Sequence, residues 1–242
     1  MSGLDVRTAF YIDGLNLYYG ALRGSTHKWL DLESLCRRLL PHDDIVAIKY
    51  FTALVRPRSD DPQATSRQDT YLRAVATLPK VSVHRGRFTS RVKSKVLADS
   101  VVNPHDLFDP HFRPRGLFGL MWRDKVGRRV DGFTRARVVI EEEKGTDVNL
   151  AVHLVHDAAR RLVDKAVVVS NDSDLAEAIS LAKTFGASVG LVNPHPQPTS
   201  RHLLDVAHFV IPFRREILSS SHLPLTLRDS KGREIHAPKT WR

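Results

Sequence analysis

The sequence predicts an α/β fold: a parallel β-sheet flanked by helices, with a basic irregular insertion. Three observations predict it. Short β-branched or aromatic runs alternate with stretches of helical spacing, as in successive βαβ units. The strongest run, Val167–Val169, is apolar at consecutive positions, the pattern of a strand buried on both faces. Acids recur directly after these runs, at the carboxyl ends of strands, where open parallel sheets bind ligands.

Taken in order, Thr8 to Ile12 reads as the first strand and ends at Asp13, before Gly14, Leu15 and Asn16. A lone Asp-Gly is ordinarily a turn. Leu17, Tyr18 and Tyr19 form an aromatic run suited to a core or to a stacking surface, and core is the simpler assignment. Asp31 to Leu40 reads as a helix closed by Pro41, Ile45 to Val55 as a second strand, and the stretch from Asp60 to Leu78 as a helix with Tyr71, Leu72 and Val75 inward. Val81 to His84 makes a third strand, closed by Gly86. From Arg87 to Arg137 the alternation fails, and Pro104, Pro110 and Pro114 argue against long regular elements. Ala136 to Ile140 is a strand or its approach. A helix follows Asp147, with Val148, Ala151, Val152, Leu154, Val155 and Ala158 in one apolar stripe. His153 and His156 lie three apart on it without a clear third ligand, so they read as packing or surface residues. After the strand at Val167–Val169 come a helix through Leu175, Ile179 and Ala182, a strand from Ser188 to Val192, a short helix from Arg201 to Val206 and an edge strand at Phe209–Ile211. Beyond Pro212 no periodicity lasts, and Ser219 to Arg242 reads as a mobile basic tail or an arm docked on a partner.

A chain of 242 residues with 42% hydrophobic content can bury one substantial core. No apolar run approaches the roughly 20 residues of a membrane span, and the amino terminus lacks the apolar segment of a signal peptide, so a cytoplasmic protein without membrane association is expected. Cys36 is the only cysteine, which excludes an internal disulfide framework and a multi-cysteine zinc site. The net charge of +10 implies an anionic partner, nucleic acid first. The charge is uneven: Arg87–Arg137 holds twelve Lys or Arg against five Asp, and Arg214–Arg242 holds seven against three acids. In the first segment Arg91, Lys93, Lys95, Arg128 and Arg129 interleave with Phe112, Phe118, Trp122 and Phe133. Cations neutralise phosphates and aromatic faces stack on unpaired bases, so these five basic residues are the candidate RNA contacts.

The chemistry gathers at Ser170–Asp174, where Asp172 and Asp174 lie two apart at the entrance to a helix. One acid there is accounted for by capping and the helix dipole; a second adds like-charge repulsion that a cation would relieve. Asp13 and Asp147 occupy equivalent places after other strands, and Asn16 could cap a turn or orient a carboxylate. Capping and metal binding both remain open from these stretches. An Asp-x-Asp after a strand also occurs in haloacid-dehalogenase phosphatases, but Leu175 and Ala176 depart from that motif.

The set DGLN at Asp13–Asn16, EKGTDVNLA at Glu143–Ala151 and VSNDSDL at Val169–Leu175 resembles the NYN-domain family of PIN-like ribonucleases, over Thr8 to Ile211. The resemblance implies a Rossmann-like sheet and an acidic pocket for Mg²⁺ or Mn²⁺. It implies hydrolysis of phosphodiester bonds in RNA, single-stranded by the character of the basic segment, through a metal-activated water. By motif matching, Asp13, Asn16, Asp147, Asp172 and Asp174 would be catalytic, with the four Asp as metal ligands. The expected organisation is a nuclease domain over residues 1–213, with the insertion at about 87–137, and a basic tail over 214–242. RNA is the expected partner, a homo-oligomer is left open, and the alternative is a non-catalytic RNA-binding or regulatory module on the same fold.

Overall fold

A computed structural model describes residues 6–57, 61–96 and 135–241. The chain divides into two compact units, Met1–Phe88 with Glu143–Arg242, and Thr89–Glu142.

The chain runs β1 (Arg7–Asp13), α1 (Gly14–Leu17) leading into a π-helical turn (Tyr18–Leu22), α2 (Leu32–Leu39), β2 (Asp44–Ala53), α3 (Ala64–Val75) and β3 (Val81–Val96), which passes into the smaller unit after Phe88. It resumes with β4 (Arg135–Lys144), α4 (Thr146–Ala159), β5 (Lys165–Val169), α5 (Ala176–Thr184) after a 3₁₀ turn at Ser173–Leu175, β6 (Ser188–Val192), α6 (Arg201–Val206) and β7 (Phe209–Val210). The sheet order is β4-β3-β2-β1-β5-β6-β7. β1 pairs in parallel with β2 on one side and β5 on the other. Each half of the sheet therefore grows outward from β1, and the crossovers diverge at the β1–β5 pair.

Alternation along the central strands builds two cores. Phe10 and Ile12 of β1 and Val167 and Val169 of β5 face the layer of α2 and α3, with Leu35, Cys36 and Leu72. Ala9, Tyr11, Ala166 and Val168 face α4 and α5, with Leu150, Leu154, Ile179 and Ala182. Asp31 caps α2, its Oδ1 accepting from the Ser34 amide at 2.9 Å. Burial pushes the Cys36 thiol well up, as a packed thiol requires.

Three expectations change. β3 does not close at Gly86 but continues to Val96, because Phe88, Val92 and Val96 alternate with polar residues in strand fashion. β4 likewise runs through the acidic Glu141–Lys144. The carboxyl-terminal stretch is not a mobile tail: α7 (Glu216–Ser219) and the hairpin β8 (Thr226–Arg228) and β9 (Glu234–His236) add Leu218, Leu223, Ile235 and Ala237 to the core on the α2 and α3 side. The Trp29 indole donates to the Pro224 carbonyl at 2.9 Å, and Tyr71 meets the ring of Trp241. Sequence periodicity misses this segment because its anchors are single residues on short elements. Among the described residues, no helix is long and apolar enough to cross a membrane.

Beneath α4 lies a charged cluster. Lys49 of β2 pairs with Asp157, with side chains only 17% and 4% exposed, and the Tyr11 hydroxyl donates to the same carboxylate at 2.7 Å. Burial alone would raise the Asp157 carboxyl, but hydrogen bonds from Lys49, Tyr11 and His156 hold it below the usual range. His153 and His84 pack with ring centroids 4.2 Å apart; burial first, then Lys49 and neighbouring imidazoles, lowers both. Truncating one member strands the other charge. Asp157→Ala should destabilise the chain by about 3–5 kcal/mol in urea melts, and adding Lys49→Met should restore much of it. Asp157→Ala at wild-type stability would show the pair to be solvated.

Candidate active site

The β1–β5 divergence leaves a crevice above the carboxyl ends of these strands, and it is built from loops that hold one another. Asp13 is the last residue of β1, only 3% exposed and on the α4 side by its alternation with Ala9 and Tyr11. Its Oδ1 accepts from the Asn16 amide at 2.9 Å and its Oδ2 accepts from the Ser170 hydroxyl at 3.0 Å. Burial pushes this carboxyl up, and Asp172 adds to that; the amide and hydroxyl donors oppose it. The next residue must be small. A Cβ on Gly14 would stand 2.6 Å from the Tyr50 ring and 2.8 Å from the Phe51 carbonyl.

Ser170 couples the loops. It is fully buried, donates to Asp13, and accepts from the Asp172 amide at 3.1 Å. Asn16 Oδ1 accepts from the Asn171 amide at 3.0 Å. Asn171 continues to the third loop, its Oδ1 accepting from the Ser200 amide at 2.8 Å and its Nδ2 donating to the Pro198 carbonyl at 3.2 Å. Asp172 Oδ1 accepts from the Asp174 amide at 3.0 Å, so Asp172 does cap the 3₁₀ turn while standing in the cluster. Asp174 is exposed at the rim.

Asp147 sits in the first turn of α4. Its carboxyl is pushed up to about 6, first by burial, then by Asp13, Asp172, Glu143 and Asp174 in that order. Asp13, Asp172 and Asp174 thus lie within electrostatic reach of Asp147, and Asn16 serves as a brace between the first two loops. The sequence reading missed Glu143, Ser170 and Asn171. Glu143 accepts from both the amide and hydroxyl of Thr146, and its carboxylate lies against Gly86 of β3, where a Cβ would come within 2.5 Å of Oε1 and 2.9 Å of the Lys144 carbonyl. Its place in EKGTD beside Asp147 was the available signal. Ser170 and Asn171 were visible as the polar break after β5, but nothing local says what they bind.

Among the described residues, no group of three or more His, Cys, Asp or Glu is already gathered as a ligand set for a metal ion. The donor chemistry nevertheless fits a hard divalent cation: the side chains are carboxylates, and their repulsion adds to the burial that raises Asp147. The candidate RNA contacts divide. Arg91, Lys93 and Lys95 lie at alternate positions of β3, hence on one face; Arg91 and Lys95 are exposed, and Lys93 pairs with Glu142. Arg128 and Arg129 lie outside the described residues, as do Phe112, Phe118, Trp122 and Phe133.

Comparison with known proteins adds three findings. The family model for the NYN domain matches residues 121–218, which takes in Asp147, Asp172 and Asp174. The chain is 31% identical to 6-hydroxy-3-succinoylpyridine 3-monooxygenase HspA of Pseudomonas putida (strain DSM 28022 / S16), over 90% of this chain and 69% of that protein. It is similar to the crystal structure of a protein of unknown function, VPA0982, from Vibrio parahaemolyticus RIMD 2210633, at 16% identity and a TM-score of 0.48, covering 88% of this chain and 96% of the other.

Two outcomes follow from the geometry. Asp147 titrates near 6 in the folded chain against an ordinary 3.8, so folding takes up a proton between those values. The stability it contributes is full below pH 3.8 and lost as the pH rises through 6. In chelator, Asp147→Asn should therefore melt above wild type at pH 8, with the gap closing toward pH 4; a constant gap would place Asp147 outside the repulsive cluster. Gly86→Ala should cost about 1–3 kcal/mol in urea melts by driving a methyl into Glu143 and the Lys144 carbonyl. An unchanged midpoint would mean that the start of α4 yields freely.

Proposed function

The chain belongs to the NYN-domain family, and from that premise we propose that it is a metal-dependent ribonuclease that hydrolyses phosphodiester bonds of single-stranded RNA. One observation carries the reading: at the carboxyl ends of β1 and β5, Asp13, Asp172 and Asp174 are near enough to Asp147 to add to the burial that raises its carboxyl. Asp13 and Asp172 also cap the turns that follow β1 and β5, but capping does not account for the like charge that Asp147 and Asp174 add beside them. Asp13, Asp147, Asp172 and Asp174 would hold Mg²⁺ or Mn²⁺, which when bound supplies charge neutralisation at the scissile phosphate and the departing 3′ oxygen.

The chain's own residues do the rest. Ser170 and the Asn16 amide fix the Asp13 carboxylate, so its position costs no reorganisation when substrate arrives. Asn16 and Asn171 tie the β1, β5 and β6 loops into one rim. No protein nucleophile is needed: among the described residues Cys36 is buried on the opposite face of the sheet, in the α2 layer. The excess of ten positive charges favours a polyanion over a small neutral substrate.

The related protein's name favours a second reading, hydroxylation of a pyridine ring. A monooxygenase needs an electron source. The first strand-to-helix turn here presents Asp13-Gly14-Leu15-Asn16 rather than the glycine-rich turn on which a dinucleotide pyrophosphate rests, and the Asp13 carboxylate would repel that anion. A non-catalytic RNA-binding module is the remaining alternative.

Labelled single-stranded RNA incubated with and without Mn²⁺ distinguishes them. The wild type should cleave only with the ion, and Asp172→Asn should lose on the order of a hundredfold in rate or more while staying folded. Mn²⁺ should raise the melting temperature of the wild type and do much less for the Asp13→Asn/Asp172→Asn double variant. RNA bound but never cut would support the binding module, and consumption of 6-hydroxy-3-succinoylpyridine would support the relative's chemistry.

A further inference from the structure

The aromatic run after the first acid is not wholly absorbed by the core. Leu17 is fully buried and Tyr18 half-buried, but Tyr19 is 53% exposed. The exposed ring has company. The Arg23 guanidinium lies over it, 5.5 Å from the centroid, and Tyr18 meets it edge-to-face at 5.3 Å.

The backbone that presents this pair is unusual. α1 does not continue as an α-helix but widens into a π-helical turn at Tyr18–Leu22, closed by the Arg23 amide on the Tyr18 carbonyl at 2.7 Å. Isolated π turns concentrate at functional sites because they re-aim side chains at a cost in backbone hydrogen bonding. This one is clamped. Arg215 donates to the Gly20 carbonyl at 2.9 Å, and the backbone of Gly20 lies so close to the His195 ring that a Cβ there would stand 2.9 Å from it. Tyr19 is thus directed outward by a rigid turn instead of swinging on a loop.

Its location relates it to the acids. Asp13 caps the same helical segment, and six residues at the helical rise put Tyr19 roughly 9 Å along the axis from it. That distance is short enough for neighbouring nucleotides of one strand to reach both. We propose that Tyr19 and Arg23 form a stacking platform for an unpaired nucleobase next to the scissile phosphate. The ring takes the base face, and the guanidinium takes the adjacent phosphate or extends the stack. Bases in a duplex are already stacked on their neighbours, so the platform selects single strands. The proposal rests on the ribonuclease reading and adds to it the device that chooses the substrate's conformation.

The test uses the full chain and two readouts. Binding is measured in chelator by anisotropy of a fluorescein-labelled oligoadenylate and of a blunt RNA duplex of the same length; cleavage of the same single strand is measured separately in Mn²⁺. Tyr19→Ala should weaken single-strand binding about tenfold and leave duplex binding unchanged. Tyr19→Trp should retain affinity and show an emission component, missing from wild type, that the oligoadenylate quenches. Arg23→Gln should lower the slope of log affinity against log salt by about 0.7. If the wild type cleaves and Tyr19→Ala binds and cleaves like it, the platform is overturned and the ribonuclease reading stands. Equal losses for single strand and duplex, or a change only in oligomeric state, overturn the platform as well. Tyr19-dependent binding without any cleavage would uphold the platform and sink the hydrolytic reading.

Discussion

The hydrogen bond from Ser170 to the Asp13 carboxylate joins the ends of β1 and β5 at the place where the sheet grows in opposite directions. Everything around the crevice depends on that joint. Without it the buried Asp13 charge would face Asp172 with only backbone amides to hold it, and a carboxylate in that position would protonate or withdraw. With it, the two strand ends stay at parallel-sheet spacing. The Asn16–Asn171–Ser200 chain then extends the same bracing to the loop after β6.

The acids so assembled work against the fold. Asp147 is raised by its own burial and then by four carboxylates, one of which, Glu143, is committed to the start of α4. Opposing this, α4 is seated at its other end by the buried Lys49–Asp157 pair and the Tyr11 hydroxyl, and along its length by Leu150 and Leu154. The helix is thus held from its middle and far end while its first turn carries the strain. This is how strained functional groups persist: surrounding structure over-determines them. Gly14 and Gly86 mark where the arrangement is tightest, because each stands where backbone and site side chains approach closer than a Cβ allows.

The two charge patterns of the chain divide by place. The acids of the larger unit lie at the carboxyl ends of β1 and β5; in the smaller unit, Arg91 and Lys95 are exposed on β3. Lys93, between them, is partly neutralised by Glu142. A polyanion drawn by the overall charge would still need local neutralisation where it meets the acids.

The sequence by itself determined the layers and the strand ends. Val167–Val169 could only be a strand covered on both faces, and helical spacing after Asp147 and Leu175 put helices next to it, so the acids had to fall at carboxyl ends of parallel strands. The three acidic motifs and their order were also legible there, as was a helix starting near Asp31. Only the tertiary structure decided that Asp13 is buried and Asp174 exposed, that Ser170 holds Asp13 across 157 residues of chain, and that Glu143 lies against Gly86. It alone extended β3 to Val96 and fastened the terminal hairpin to the core. The reason is physical. Periodicity reports which face of an element is apolar, a local property, whereas hydrogen bonds between loops and the repulsion that raises Asp147 depend on distances that exist only once distant segments are brought side by side.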